Sequence, residues 1–505
     1  MHSQLYKNMK KITTYITYII LSAVVMLTGC EETPSRYYNI SVDPQVSCSF
    51  DRHIFEVKYQ LMGDSLTGDE HIATASTTAD WIINIDNSKA GVLAIEVMDN
   101  EGDMRSATIE VGAEGHMSTT ITLTQLAVPT ETSHTLMYYF FGTSLGRFFN
   151  DNISDAKSAI STGILGNNNR VLYLRQNSST TGYIGELCYD PINKSCIERH
   201  IKDITIEGSH LTPEQIGQHI ASMAAEAPAD RYGMIMAGHG QGWLTRDIVN
   251  GESGASVFSM YGEDTWAPAF GAEITRAFGE SNVCMNISEL AEGIESSEVE
   301  LDYILFDACF MSNIEAIYDL RNTANYIIAS PCEIMGRGFP YHRTLPHLFV
   351  EGGTKSDLKS AAESYYLYYR DEYASNSRCG SVALYDCREI DALTEITAQI
   401  LTTATDNYDR SKLQTYEGKN VHIFYDFGQW VRTVATDQVT LDAFNEQLSR
   451  TIIAKYTLPT FYSAYGTYGT HKIDVEQYTG ITTSAPSTAY PEAWHKTSWY
   501  KEVWE

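Results

Sequence analysis

Two textures of hydrophobic patterning divide the chain. From about 38 to 127 apolar and polar residues alternate. In Thr119 to Gln125, Ile121 and Leu123 fall on one face and Thr120, Thr122 and Thr124 on the other. That two-residue period belongs to a half-buried strand. Val92 to Val97 and Ala107 to Val111 alternate likewise, separated by the polar run Asn100-Glu101-Gly102-Asp103. Short strands punctuated by turn signals predict a small all-β sandwich over 38–127. Val128-Pro129-Thr130-Glu131-Thr132 opens a linker over 128–134. Beyond it the apolar runs become continuous: Leu136 to Phe141, Val171 to Leu174, Tyr232 to Ala237, Tyr303 to Phe306 and Tyr326 to Ala329. Helical stretches fall between them, near 154–162 and over 212–225. The latter opens on Thr212-Pro213-Glu214, with a capping hydroxyl, proline at the first helical position and acid in the first turn. Further on, Ser381 to Tyr385 and Asn420 to Tyr425 read as strands, Ile390 to Leu401 and Val439 to Tyr456 as helices. Apolar strands alternating with helices predict an α/β domain over 135–505, a mostly parallel sheet flanked by helices.

The first 29 residues break this pattern. Lys7, Lys10 and Lys11 precede an apolar stretch, Ile12 to Leu27, and then Leu27-Thr28-Gly29-Cys30. This is the layout of a signal peptide, too short and too polar for a plain membrane span. The ending resembles a bacterial lipobox, which implies cleavage before Cys30 and lipid on its sulfur. Lipid chains would then anchor the mature protein to a membrane surface. Residues 30–37 read as a tether. Glu31 and Glu32 are similar to surface-export signals of Gram-negative lipoproteins, so the expected location is the outer membrane, facing the periplasm or the cell surface.

Within the sandwich, Asp80-Trp81-Ile82, Asn100, Arg105-Ser106-Ala107 and Thr122-Leu123-Thr124-Gln125 resemble a BACON domain. The resemblance implies a module attached to secreted enzymes, acting as a spacer or, alternatively, binding glycans.

The chemistry gathers at two strand ends. Met234-Ile235-Met236-Ala237 runs into Gly238-His239-Gly240-Gln241-Gly242-Trp243, and Ile304-Leu305-Phe306 into Asp307-Ala308-Cys309-Phe310-Met311. In parallel α/β sheets, sites form at the carboxyl ends of strands. A thiol needs a base or a positive neighbour to become thiolate near neutral pH, and His239 can supply both to Cys309. The backbone amides of Gly240 and Cys309 are candidate donors to a tetrahedral oxyanion.

These two runs resemble the clostripain family of cysteine peptidases. The Gly238–Trp243 run resembles its histidine motif and Phe306–Met311 its nucleophile motif. Met285-Asn286-Ile287-Ser288-Glu289-Leu290 lies between them, and Ala329-Ser330-Pro331-Cys332-Glu333 with Gly338-Phe339-Pro340-Tyr341 follows. The resemblance implies a caspase-like fold and an endopeptidase acting on proteins or peptides with Arg or Lys before the cleaved bond. It implies Asp307 at the basic-side-chain pocket, with Glu333 a second candidate there. A carboxylate in a pocket does select a cationic side chain. It also implies self-cleavage between the two motifs, where Arg246 and Arg276 are the only basic residues. The chemistry needs no metal or other cofactor. Some relatives need calcium, which stays an open expectation without an EF-hand pattern.

Gly142-Thr143-Ser144-Leu145-Gly146 fits the nucleophile elbow of serine hydrolases, with Ser144 as the rival nucleophile. A second alternative is a surface lipoprotein that binds glycans or proteins and whose peptidase-like domain is inert. Composition bears on partners. With 35 basic and 64 acidic residues the formal charge is −29, which opposes nucleic-acid binding. Of nine cysteines, Cys188 with Cys196 and Cys379 with Cys387 are conceivable bridges, but buried free thiols are the expected state for most. Trp494, Trp499 and Trp504 near the end are expected to pack on the catalytic domain, an aromatic ligand surface being the alternative.

Overall fold

The computed structural model describes residues 38–63, 72–129, 131–207, 211–249, 272–276, 285–465 and 472–505. Residues 1–37, which include Cys30, and most of the polar loop after His239 lie outside them. Contacts divide the chain into two compact units, one reaching Gln125 and one running from Leu126 to Glu505 together with Glu101–Asp103.

Among the described residues, the regular elements of the first unit are all strands. One sheet orders Ile82–Asp86, Val92–Val97, His53–Leu61, Tyr38–Val42 and His116–Met117; the other orders Gln45–Cys48, Thr119–Gln125, Arg105–Gly112 and Thr74–Ser76. Leu93, Ile95 and Val97 of the first share a core with Ile109, Val111, Ile121 and Leu123 of the second. The alternation thus buries one face of each sheet. Arg105 lies 4.8 Å over the Trp81 ring, and its Nε donates to Gln125 Oε1 at 2.9 Å.

The second unit holds a nine-stranded sheet. Its strands are β1 (His134–Phe140), β2 (Asn169–Gln176), β3 (Thr181–Asp190), β4 (Ser195–Thr205), β5 (Arg231–Ala237), β6 (Leu301–Asp307), β7 (Ala324–Ala329), β8 (Val382–Asp386) and β9 (Ile452–Tyr456). The spatial order is β4-β3-β2-β1-β5-β6-β7-β8-β9. The five central strands are parallel. Two antiparallel strands extend the sheet at each edge, which makes it mixed rather than mostly parallel. The β3–β4 hairpin and the return of β9 supply those edges. Val439 to Tyr456, expected as one helix, divides into a helix over Gln438–Thr451 and then β9. The β-branched Thr451-Ile452-Ile453 run favours the extended form, and β8 offers it a partner. Of the strand expected over 420–425, only Tyr425–Asp426 pairs.

Helices cover both faces. α1 (Gly146–Ile160) packs on a helix over Tyr341–Leu348, which meets one over Leu358–Asp371. On the other face α2 (Pro213–Glu226) packs on α3 (Ile287–Ser296). Thr212 and Gln215 close a reciprocal cap on α2, as the Thr-Pro-Glu opening predicts. Trp494 and Trp499 are buried against this layer, and Trp494 Nε1 donates to Glu315 Oε1 at 2.9 Å.

All seven described cysteines are free. In the β3–β4 hairpin Cys196 sits opposite Tyr189 and Cys188 opposite Ile197. A one-residue offset puts the two thiols on opposite faces of the sheet, which forbids the bridge. No described helix is long and apolar enough to cross a membrane.

Candidate active site

β5 and β6 lie side by side with Ala237 opposite Asp307. His239 and Cys309 each stand two residues beyond that row, so the parallel register brings both to one sheet edge. The loop after β5 presses on the turn after β6: a Cβ on Gly240 would stand 2.1 Å from the Cys309 carbonyl oxygen. Only glycine permits that approach. Phe310 takes a left-handed conformation (φ 57°), uncommon for a residue with a Cβ. Asn313 holds this turn, Nδ2 donating to the Phe310 carbonyl, while Phe310 N–H donates to Cys332 O at 3.1 Å.

The Cys309 sulfur is buried and accepts the Ile334 N–H at 3.0 Å. Burial pushes the thiol well above its ordinary value, and the Glu333 charge pushes it further; the Ile334 N–H and Arg276 pull the other way. His239 Nε2 shares a 2.9 Å hydrogen bond with Ser144 Oγ. Ser144 lies in the turn from β1 into α1 and so reaches the histidine from the neighbouring strand end.

Arg276 lies between the Gly240 loop and the 334–336 segment. Its segment pairs antiparallel with 334–336: Arg276 N–H donates to Ile334 O and Gly336 N–H to Ile274 O, both at 2.7 Å. The Arg276 carbonyl accepts from Gly240 N–H at 2.8 Å. The guanidinium is fully buried. Its Nη1 meets Asp307 Oδ2 at 3.0 Å, Nη2 donates to Asn152 Oδ1 at 2.7 Å, and Nε donates to Gly336 O at 3.1 Å. Tyr341 Oη donates to Asp307 Oδ2 at 2.6 Å, and the Phe339 N–H reaches both carboxylate oxygens. Burial raises the Asp307 pKa, and Arg276, Tyr341 and Phe339 pull it back. Gly338 keeps the pocket open: its φ is +71°, and a Cβ there would collide with both Arg276 and Asp307.

Asp307 is thus the carboxylate that faces the Arg276 guanidinium. Glu333 does not lie beside it. It turns to the preceding residue and accepts from Thr275 Oγ1 at 2.7 Å. Arg246 stands apart at the start of a short helix, paired with Glu289 at 2.7 Å. Asn152 is a pocket residue that motif reading missed. Its signal was an asparagine in the apolar stripe of α1, flanked by the buried Phe149, Ile153 and Ala156. Among the described residues, no group of three or more His, Cys, Asp or Glu could hold a metal ion.

Fold and site together define a cysteine peptidase architecture: a helix-covered mixed sheet with histidine and cysteine at adjacent central strand ends. The family model of the clostripain family matches residues 193–449, and the chain belongs to that family. It is 21% identical over 250 residues to a clostripain of Hathewaya histolytica, a match that spans 43% of this chain and 45% of that protein. The chain thus aligns with less than half the length of this curated relative. A secreted C11 cysteine protease of Bacteroides thetaiotaomicron superposes with a TM-score of 0.63 at 28% identity, over 74% of this chain and all of that one. An inactive zymogen C11 protease of Parabacteroides distasonis superposes at 0.60 and 26% identity, over 75% of this chain and 100% of that one.

Proposed function

We propose that the protein is an endopeptidase that cleaves after Arg or Lys and that, before processing, holds its own segment in the site. The observation that carries this is Arg276, whose guanidinium sits on Asp307 while its carbonyl accepts from Gly240 N–H. A residue before a scissile bond would be held in this way, with the side chain in a selective pocket and the carbonyl on an oxyanion donor. Cys309 thiolate attacks the carbonyl carbon. The Gly240 and Cys309 amides stabilise the oxyanion. His239 protonates the departing amine, and the carbon–nitrogen bond breaks to leave a thioester. Water then adds, and the acid product and the thiol are released.

The first cut would fall after Arg276 rather than after Arg246, whose guanidinium is engaged by Glu289. Until then Arg276 would block external substrates. Ser144 would position His239 rather than act as nucleophile. Lipid on Cys30 would hold the enzyme at the outer membrane, with the strand-built unit as a spacer.

Purified protein should convert to two fragments, the second beginning at Ala277, and then hydrolyse Arg and Lys but not Asp aminomethylcoumarin peptides. Cys309→Ala should stay whole and inactive, whereas Ser144→Ala should retain measurable turnover. Full peptidase activity in Cys309→Ala, or full activity from a single intact band, would sink the reading.

A further inference from the structure

We infer that Glu315 is a positioning residue of the peptidase site: its buried carboxylate locks the His239 loop onto the Cys309 turn by way of Thr482–Ser484. The inference rests on reading His239 and Cys309 as the catalytic pair.

Glu315 stands in the first turn of the helix over Ile314–Leu320, which follows the Cys309 turn. Its side chain is fully buried, and neutral groups from the far end of the chain donate to it. Ser484 N–H, Thr483 Oγ1 and Trp494 Nε1 all reach its Oε1, at 2.8, 2.9 and 2.9 Å. A buried carboxylate is costly unless such donors replace the water it lost. A hydrophobic side chain of similar volume would fill the space without that cost, but could not hold the donors. The held segment touches both catalytic turns. Thr482 N–H donates to Ser312 O at 3.0 Å, and Thr482 bridges to Asn313, whose Nδ2 holds the Phe310 carbonyl. Ser484 Oγ accepts from Trp243 Nε1 at 2.7 Å in a buried contact. Trp243 closes the Gly238–Trp243 run that carries His239. Beside it Gly242 takes φ +60°, and a Cβ there would stand 2.5 Å from Asn313 Nδ2. The two turns therefore meet in close contact, and the Glu315–Ser484–Trp243 chain adds a directional link between them. A histidine must stay within reach of its thiol, and a displacement of about 1 Å costs on the order of 10²-fold in rate. A cut after Arg276 would leave His239 and Trp243 on one fragment and Cys309, Glu315 and Ser484 on the other, so the link would then join two chains. Ionised or protonated, Glu315 Oε1 accepts from the same donors. Glutamine keeps the link and alanine removes it.

The test compares full-length variants, all nicked with trypsin, on an Arg aminomethylcoumarin peptide. Glu315→Ala should lower kcat about tenfold to a hundredfold while KM stays within about twofold, the mark of lost orientation rather than lost substrate binding. Glu315→Gln should recover kcat to within about threefold of wild type. Ser484→Ala and Trp243→Phe break the link from either side. Each should lower kcat, and the double variant should be no worse than the more severe single one. Wild-type kcat in Glu315→Ala, or a Gln variant as slow as the Ala one, would overturn the inference. If Glu315→Ala fails to fold, Ser484→Ala decides: unchanged kcat overturns the inference, and a fall with unchanged KM supports it. Full activity in Cys309→Ala would overturn the catalytic pair itself. An inactive Cys309→Ala beside wild-type kcat in Glu315→Ala removes the positioning role alone.

Discussion

Asp307 and Glu333 are both fully buried carboxylates beside the Ile274–Arg276 segment, yet they face different chemistry. Asp307 meets a guanidinium, a phenol and a backbone N–H; Glu333 meets two hydroxyls and a backbone N–H. A buried charge persists when an opposite charge and further donors replace the water it lost. Burial raises both carboxyls; the Arg276 charge offsets part of the rise at Asp307, whereas neutral donors alone oppose it at Glu333, which is pushed up from 4.5 to about 7. Asp307 thus keeps a counter-charge and Glu333 meets neutral donors, although an acid alone makes neither choice. Their surroundings decide.

The comparison breaks most sharply at Asp307. Asp307→Asn keeps the shape and removes the charge, stranding a bound arginine in a buried site. Its kcat/KM on Arg peptides should fall about 10²- to 10³-fold after trypsin nicking, as expected for one partner lost from a buried pair. A fall of less than threefold would show that Asp307 is not the selecting group. Asn152→Ala removes one hydrogen bond to the same guanidinium and should cost about tenfold, because the ion pair survives. Its effect on Lys peptides should be smaller, since an ammonium is a compact charge without the guanidinium fork.

The smallest effect sharpens the Glu333 side. Its folded pKa lies above the unfolded value, so the native state holds a proton that the unfolded chain releases. The resulting stability is fully present below about pH 4.5 and is lost as pH rises through about 7. Glu333→Gln, placed in the uncut Cys309→Ala protein, removes this titration. Going from pH 5 to pH 8, the Tm of the Glu333-bearing protein should drop by about 1–3 °C more than that of the Gln variant. Parallel melting curves at the two pH values would contradict this.

His239 and Cys309 were legible because an apolar strand running into a polar residue marks a strand end, and β5 and β6 are both buried on two faces. Asp307 was legible by its place beside the nucleophile. The direction of Glu333 was not. It follows an irregular stretch after β7, where spacing carries no side-chain period, and its partner Thr275 comes from a distant segment. Asn152 was hidden for another reason: α1 shows an ordinary apolar stripe, and one asparagine in it reads equally well as a satisfied core residue. The edges of the sheet were obscured by propensity. Gln438–Tyr456 shows no breaker where helix turns to strand, and only the open edge of β8 makes the difference.

Covalent attachment sets how the Ile274–Arg276 segment competes. A tethered ligand meets its groove at an effective concentration on the order of millimolar, whatever the number of copies nearby. On the proposed reading, a free peptide would have to exceed that level to displace it, and an uncut molecule would be silent at ordinary substrate concentrations. The proposed first cut, in contrast, would be a first-order event when made within one chain. A lone molecule arriving at a membrane surface would need no neighbour to become active, and its delay would be fixed by its own chemistry rather than by crowding.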